Sequence, residues 1–156
     1  MELTADMQRV VLEQRLGFVA TVTPDGSPNL SPKGTTVVLD REHLVFADVV
    51  SPGTVENLAT NPKVEVNVVD PIVRKGYRFK GVASVHTAGP EYERGLERLQ
   101  ELGSTLTAER VRSIVVIEVA EASPLISPGY DDGASEQAVS EHWFQHYSSL
   151  LKRQAQ

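Results

Sequence analysis

The feature that most constrains the fold is a strictly alternating segment near the middle of the chain. Residues 63–68 read Lys-Val-Glu-Val-Asn-Val, and this period of two places the valines on one face of a β-strand and the polar side chains on the other. The segment is therefore predicted to be a strand with one buried and one solvated face. Residues 77–85 also alternate at their start and contain Gly81, a natural site for a bulge or a bend in the strand.

The rest of the chain divides into further strands and helices. Strands are predicted at residues 18–22, 29–39, 44–48 and 111–119, and a turn through residues 23–27 makes the first two a hairpin. Helices are predicted at residues 4–16, 52–60, 90–102 and 136–153, and residues 123–135 have the composition of a loop. About six or seven strands of mostly meander order, with helices at the ends, predict a small antiparallel barrel of the mainly β or α+β class.

Composition limits both the domain count and the possible chemistry. A chain of 156 residues is expected to form one domain, residues 1–156, with a barrel at about 16–120 and a C-terminal loop and helix at 121–156. Its formal charge of −6 lacks the basic field that nucleic acids require. The absence of cysteine excludes disulfides, thiolate nucleophiles and cysteine metal ligands, so redox chemistry would need a bound cofactor. No apolar run could span a membrane and the amino terminus lacks a signal pattern, so a cytoplasmic protein is expected.

Four segments carry a more specific pattern. They read Pro-Asn-Leu-Ser-Pro-Lys-Gly at 28–34, Leu-Val-Phe-Ala-Asp at 44–48, Ser-Pro-Gly-Thr-Val-Glu-Asn-Leu at 51–58 with Asn-Pro-Lys-Val at 61–64, and Tyr-Arg-Phe-Lys-Gly at 77–81. In this order and spacing they resemble the pyridoxamine 5′-phosphate oxidase-like superfamily of flavin-binding split barrels. The resemblance runs from about Leu16 to Ser84, and more weakly from Ser127 to Tyr147. It implies a homodimer of split β-barrels with two FMN sites at the interface, each built from both chains.

The residues in these segments fit a flavin phosphate on chemical grounds as well. Lys33 would supply a cation, and hydroxyl donors would come from its own strand and from the start of the following helix, whose dipole favours an anion. These hydroxyls belong to Ser31, Thr35, Ser51 and Thr54. By position in the family pattern, the resemblance adds Pro32, Gly34, Asp48, Asn57, Lys75, Arg78 and Trp143 as candidate cofactor contacts.

The chain also departs from the family pattern in two places. Pro52, Gly53 and Thr54 stand where the vitamin oxidases carry a Ser-Arg-Lys phosphate clamp, so Lys75 and Arg78 are candidates to replace the lost cations, from the same or the partner chain. The carboxyl-terminal arginine motifs that act on pyridoxamine phosphate are missing, so oxidation of vitamin B6 is not predicted. The expected activity is hydride or electron transfer between a nicotinamide or other donor and a small molecule, with the cofactor supplying the chemistry.

Three alternatives remain open at this point. The chain could use a deazaflavin in place of FMN, act as a flavin- or haem-binding module without turnover, or be a dimeric structural domain without a cofactor. No metal site is predicted, because His142 and His146 lie one helical turn apart without an evident third ligand and fit a surface or interface position. Trp143 is expected to anchor the last helix in the core or the dimer interface, or to shield the flavin from across that interface.

Overall fold

A computed structural model describes residues 1–154 of the chain. The helices of this part are α1 (Ala5–Gln14), α2 (Pro52–Thr60), α3 (Pro90–Glu101) and α4 (Glu136–Gln154). The strands are β1 (Gly17–Val22), β2 (Pro28–Lys33), β3 (Val37–Val38), β4 (His43–Asp48), β5 (Lys63–Asp70), β6 (Lys75–His86) and β7 (Ser113–Ile126). All strand pairs are antiparallel. The seven strands form a curled half-barrel, which confirms the predicted split-barrel fold of the α+β class.

The strand order in the sheet is β2-β1-β5-β6-β7-β4-β3, so β2 and β3 lie at opposite edges. The prediction of one strand over 29–39 is wrong for this reason. The chain turns after Lys33, where Thr36 donates to the Lys33 carbonyl from both its N–H, at 3.3 Å, and its hydroxyl, at 2.9 Å. This turn separates the part of the segment that pairs with β1 from the part that pairs with β4.

The predicted bulge in β6 is confirmed. The register between β6 and β7 shifts between Lys80 and Gly81. Beyond the shift β7 continues to Ile126, paired with β6 as far as Lys75, so residues 123–126 are strand and not loop as predicted. Pairing with a neighbouring strand outweighs the local turn composition there.

Helices cover the two apolar regions of the sheet. In α1 the hydroxyl of Thr4 accepts a hydrogen bond from the Met7 N–H at 3.2 Å, as a capping residue does. The helix buries Met7, Val10 and Val11 against the core around Phe46 and Phe79. A second core cluster lies under α3, and its members on the helix are Tyr92, Leu96 and Leu99. Within residues 1–154 no helix combines the length and apolarity of a membrane span.

Candidate functional site

The centre of the site is the polar face of the edge strand β2. Asn29, Ser31 and Lys33 alternate with the exposed residues at 28, 30 and 32, so the three polar side chains share the inner face. Lys33 is only 5% exposed although it carries a charge. Its Nζ donates to Ser31 Oγ at 2.9 Å and lies 5.8 Å from the centre of the Phe46 ring.

The buried ammonium has donors to spare. An ammonium carries three N–H groups, and the one partner found for Lys33 among the described residues is the Ser31 hydroxyl. Burial lowers the pKa of Lys33, while attraction from the buried carboxylate of Asp48 acts in the opposite direction. No carboxylate of residues 1–154 lies in ion-pair contact with this ammonium. Because a buried charge is costly without a partner of opposite sign, this arrangement suits an anion.

The start of α2 lies beside the same face of β2. A Cβ placed on Gly53 would come within 3.9 Å of Asn29 Nδ2, so the first turn of the helix is close to the strand. Asp48, 3% exposed, accepts the Ser51 backbone N–H at 2.7 Å and fixes the loop that enters the helix. Ser51 is the N-cap residue, but its hydroxyl makes no capping hydrogen bond. Helix amides beside Asn29, on the face of β2 that also carries Lys33, therefore add a second group of donors for an anion.

Two predicted site residues use their polar atoms within the fold. The Thr35 hydroxyl accepts the Ala47 N–H at 2.9 Å and lies 3.3 Å from the Ala47 carbonyl, which ties the turn to β4. The Asn57 amide donates to Thr21 Oγ1 at 3.0 Å, and both residues are buried, which ties α2 to β1. The side chains of Thr35 and Asn57 therefore join elements that flank the candidate site.

The remaining members of the predicted set near β2 and α2 differ in exposure. Thr54 is 3% exposed and lies in the first turn of α2. Pro32 and Gly34 are exposed on either side of Lys33, and a Cβ at Gly34 would meet nothing within 4 Å. The backbone at Gly34 is thus open to close approach by a ligand.

Arg78 does not join Lys33 within one chain. The register aligns Pro32, Phe18, Asn67 and Arg78 in one row across β2, β1, β5 and β6, a span of about 14 Å at roughly 4.8 Å per strand. This row lies on the outer face of the sheet, whereas Lys33 lies on the inner face. Arg78 and Lys33 therefore lie on opposite faces of the sheet.

Lys75 and Trp143 also lie away from Lys33, at the turn between β5 and β6. Lys75 Nζ pairs with Glu136 Oε2 at 2.7 Å. The guanidinium carbon of Arg74 lies 3.4 Å from the centre of the Trp143 ring, and the rings of His142 and His146 meet Trp143 edge-on at 5.1 and 5.4 Å. Within residues 1–154, no three His, Asp or Glu side chains converge as metal ligands.

Sequence reasoning missed three residues of this neighbourhood. Asn29 shares the period-two face with Ser31 and Lys33, a signal that could have identified it. Phe46 was assigned only to a strand, and its ring beside Lys33 requires the sheet pairing to be known. Asn67 on the outer face has a buried Oδ1 without a hydrogen-bond partner among the described residues, which no local pattern could reveal.

The comparisons with known proteins identify the class. Residues 3–125 match the family described as pyridoxamine 5′-phosphate oxidase, and the chain belongs to this family. A curated relative, an uncharacterized protein from Methanocaldococcus jannaschii, is 32% identical over 135 residues, which are 85% of this chain and 86% of the relative.

Solved structures share the fold. HupZ from Group A Streptococcus has 29% identity and a TM-score of 0.71 over 80% of this chain and 95% of that chain. An F420 reductase has 22% identity and a TM-score of 0.61 over 78% of this chain and 98% of that chain. An FMN-binding protein from Syntrophomonas wolfei has 15% identity and a TM-score of 0.60 over 76% of this chain and 84% of that chain. At such identities the last two show the fold alone.

Proposed function

We propose that this chain binds the phosphate of a flavin cofactor, FMN in the first place, between β2 and the start of α2. The observation that carries the proposal is the buried ammonium of Lys33, which among residues 1–154 has one hydrogen bond, to Ser31, and no carboxylate in contact. Backbone amides at the start of α2 would complete the phosphate site, since helix N-termini favour anions. The open backbone at Gly34 would leave room for the rest of the cofactor.

The proposed activity is that of an oxidoreductase. Bound FMN would supply hydride or electron transfer between a nicotinamide or other donor and a small molecule. The chain's own contribution is to hold and orient the cofactor: Lys33 and α2 at the phosphate, with Asp48 holding the loop between β4 and α2. Neither a catalytic acid nor a catalytic base is assigned.

We extend the proposal to a homodimer whose second copy completes each site. The outer face of the sheet supports it, because large apolar side chains there are exposed: Phe18 41%, Val22 38%, Leu30 65% and Val82 50%. Exposed apolar patches of this kind are typical of protein–protein interfaces. On the same face Arg78 Nε lies 2.9 Å from Glu65 Oε1 but lacks hydrogen-bond geometry, and Asn67 Oδ1 has no donor among the described residues. A partner or its cofactor could satisfy these groups.

A deazaflavin cofactor is the second candidate. The weak phosphate clamp leaves it open, since the positions of the family's clamp hold Pro52, Gly53 and Thr54 and Lys33 is the one buried cation among the described residues. The F420 reductase of the same fold is consistent with it. A flavin- or haem-binding module without turnover differs from both in one respect: its bound cofactor would not be reduced rapidly by a nicotinamide donor.

The test is a titration of purified apoprotein with FMN, followed by visible absorbance and fluorescence quenching. Lys33→Met should weaken FMN binding about tenfold to 150-fold, the value of one charged hydrogen bond. Arg41→Met removes a positive charge from an exposed position in the turn between β3 and β4 and should leave the affinity unchanged. Equal affinities of all three proteins would refute the site. Binding of a deazaflavin by a protein that ignores FMN would decide for the second candidate.

A further inference from the structure

The last part of the described chain, residues 127–154, forms an arm outside the region that matches the family, residues 3–125. The arm contains a short 3-10 turn, Pro128–Tyr130, and α4. Among the described residues, its contacts with the turn between β5 and β6 reach no further along the arm than Trp143. The Tyr130 hydroxyl donates to the Val73 carbonyl at 2.6 Å, Glu136 pairs with Lys75 at 2.7 Å, and Arg74 stacks on Trp143.

The part of α4 after Trp143, residues 144–153, has no such attachment among the described residues. Its side-chain hydrogen bonds stay inside the helix, as from Ser149 Oγ to the His146 carbonyl at 2.7 Å. Phe144 is 64% exposed, Leu150 36% and Leu151 69%. Three large apolar side chains are thus left in solvent on one helix, which is a mark of an interaction surface.

The helix α4 is amphipathic, and the charges on its polar side help to decide whether it binds a membrane or a protein surface. At 3.6 residues per turn, Trp143, Phe144, Tyr147, Leu150 and Leu151 share one side of α4. The opposite side carries uncharged or acidic groups through most of its length, and its two cations come at the end. A helix that lies on an anionic membrane has Lys and Arg spread along its polar face, so a protein surface fits α4 better.

Length and apolar character both point to a second copy of this chain as that surface. The exposed apolar face of β1 and β2, with Phe18 and Leu30, offers a matching surface. A helix of 19 residues is about 28 Å long, enough to reach across a neighbouring domain.

The apolar surface of the arm is large enough to contribute to a dimer interface. A buried aromatic side chain covers roughly 150–250 Å², so Phe144 and Tyr147 of two symmetric arms could contribute several hundred Å². A standard interface buries about 1,600 Å² in total. The arms would therefore add substantially to a dimer interface formed in part by the outer face of the sheet.

We infer that the arm is exchanged between two copies: residues 144–153 of α4 pack on the outer face of β1 and β2 of the other copy. The inference rests on the proposed homodimer but not on the proposed cofactor. Its consequence is that each arm would cover the edge strand whose inner face carries Ser31 and Lys33, so that dimerisation would brace the candidate site.

Cross-linking can test the exchange cleanly, because the chain contains no cysteine. Leu151→Cys protein labelled with heavy nitrogen is mixed with unlabelled Leu30→Cys protein and treated with a short bis-maleimide. A covalent dimer of one labelled and one unlabelled chain is the expected product. Replacing Leu30→Cys by Glu97→Cys, at an exposed position on α3, should abolish it.

A second measurement uses the full chain without cysteine. Leu151→Glu should raise the dimer dissociation constant, measured by sedimentation, at least about tenfold, the loss expected from one interface anchor. The emission of Trp143, the one tryptophan of the sequence, should change with dilution over the same concentration range. Circular dichroism checks that α4 remains helical in the variant.

Three results would overturn the exchange. The first is a Leu30→Cys/Leu151→Cys double variant that cross-links within one chain at high dilution. The second is a Leu151→Cys protein that cross-links preferentially to itself. The third is binding of the protein to anionic vesicles through α4, with no mixed dimer formed. The flavin proposal is tested separately, because Lys33→Met would still lose FMN affinity if the arm is not exchanged. If instead the arm cross-links while FMN does not bind, the exchange stands without the flavin.

Discussion

Arg94 on α3 donates to Asp40 Oδ2 at 2.5 Å and thereby joins that helix to the turn between β3 and β4. The other carboxylate oxygen accepts the backbone N–H groups of Glu42 and His43 at 2.9 and 3.0 Å and lies 2.7 Å from His43 Nδ1. Burial alone would raise the pKa of Asp40, but these hydrogen bonds outweigh it and bring the pKa to about 2.

We expect Asp40 to contribute to stability above about pH 4 and to lose that contribution as the pH falls towards about 2. The ionised form is favoured in the folded state, whereas the unfolded chain binds the proton near the ordinary pKa of 3.8. Asp40→Asn should lower the free energy of unfolding at neutral pH by about 2 kcal/mol. Urea unfolding at a series of pH values measures it. Glu97→Gln, at an exposed site, is the control, and an equal loss for Asp40→Asn at pH 2 and pH 7 would contradict the mechanism.

The elements of the fold could be predicted because their signals are local. Thr4 caps its helix, the valines of β5 alternate, and Gly81 permits a bulge, and each can be recognised within a few residues. The separation of β2 from β3 could not be predicted, because both halves of 29–39 have strand composition and the partner of each lies far away in sequence. Extension of β7 through Ser123 and Pro124 was missed for the same reason.

The candidate site could also be predicted only where its signals are local in the sequence. Ser31 and Lys33 stand two residues apart on a strand, so their shared face follows from the period of two. Whether Arg78 shares that face depends on the register across four strands, which no single segment contains. The burial of Lys33 was also hidden, because lysine is usually exposed and its cover comes from the surrounding fold.

Gly81→Ala should destabilise the protein strongly. A Cβ at this position would overlap the carbonyl oxygen of Glu118 and crowd Ile117 on β7, and backbone atoms cannot move aside as a flexible side chain can. The expected loss in the free energy of unfolding is about 2–4 kcal/mol, measured by urea denaturation. Gly34→Ala is the matched control, since its new methyl group would meet nothing within 4 Å. Similar stability of the two variants would show that the bulge is not tightly packed.

Thr35→Val should separate folding from cofactor binding. The valine keeps the shape of the side chain but removes the hydroxyl that accepts the Ala47 N–H, which leaves a buried donor unpaired. A loss of about 1–3 kcal/mol in the free energy of unfolding is expected. FMN affinity per folded molecule should stay within a factor of about two. A large loss of FMN affinity with unchanged stability would show instead that Thr35 contacts the cofactor.

Ser51→Ala and Thr4→Ala should have opposite consequences although both remove a hydroxyl at a helix N-cap. Thr4 accepts the Met7 N–H, so its loss should cost about 1 kcal/mol of stability and leave FMN affinity unchanged. Ser51 makes no capping hydrogen bond, so its hydroxyl is available to a phosphate, and Ser51→Ala should weaken FMN binding severalfold with little effect on unfolding. Thermal unfolding and FMN titration of both variants give the comparison. If Ser51→Ala lowered stability as much as Thr4→Ala and left FMN affinity intact, Ser51 would be an ordinary cap and the phosphate site would rest on Lys33 and the amides of α2.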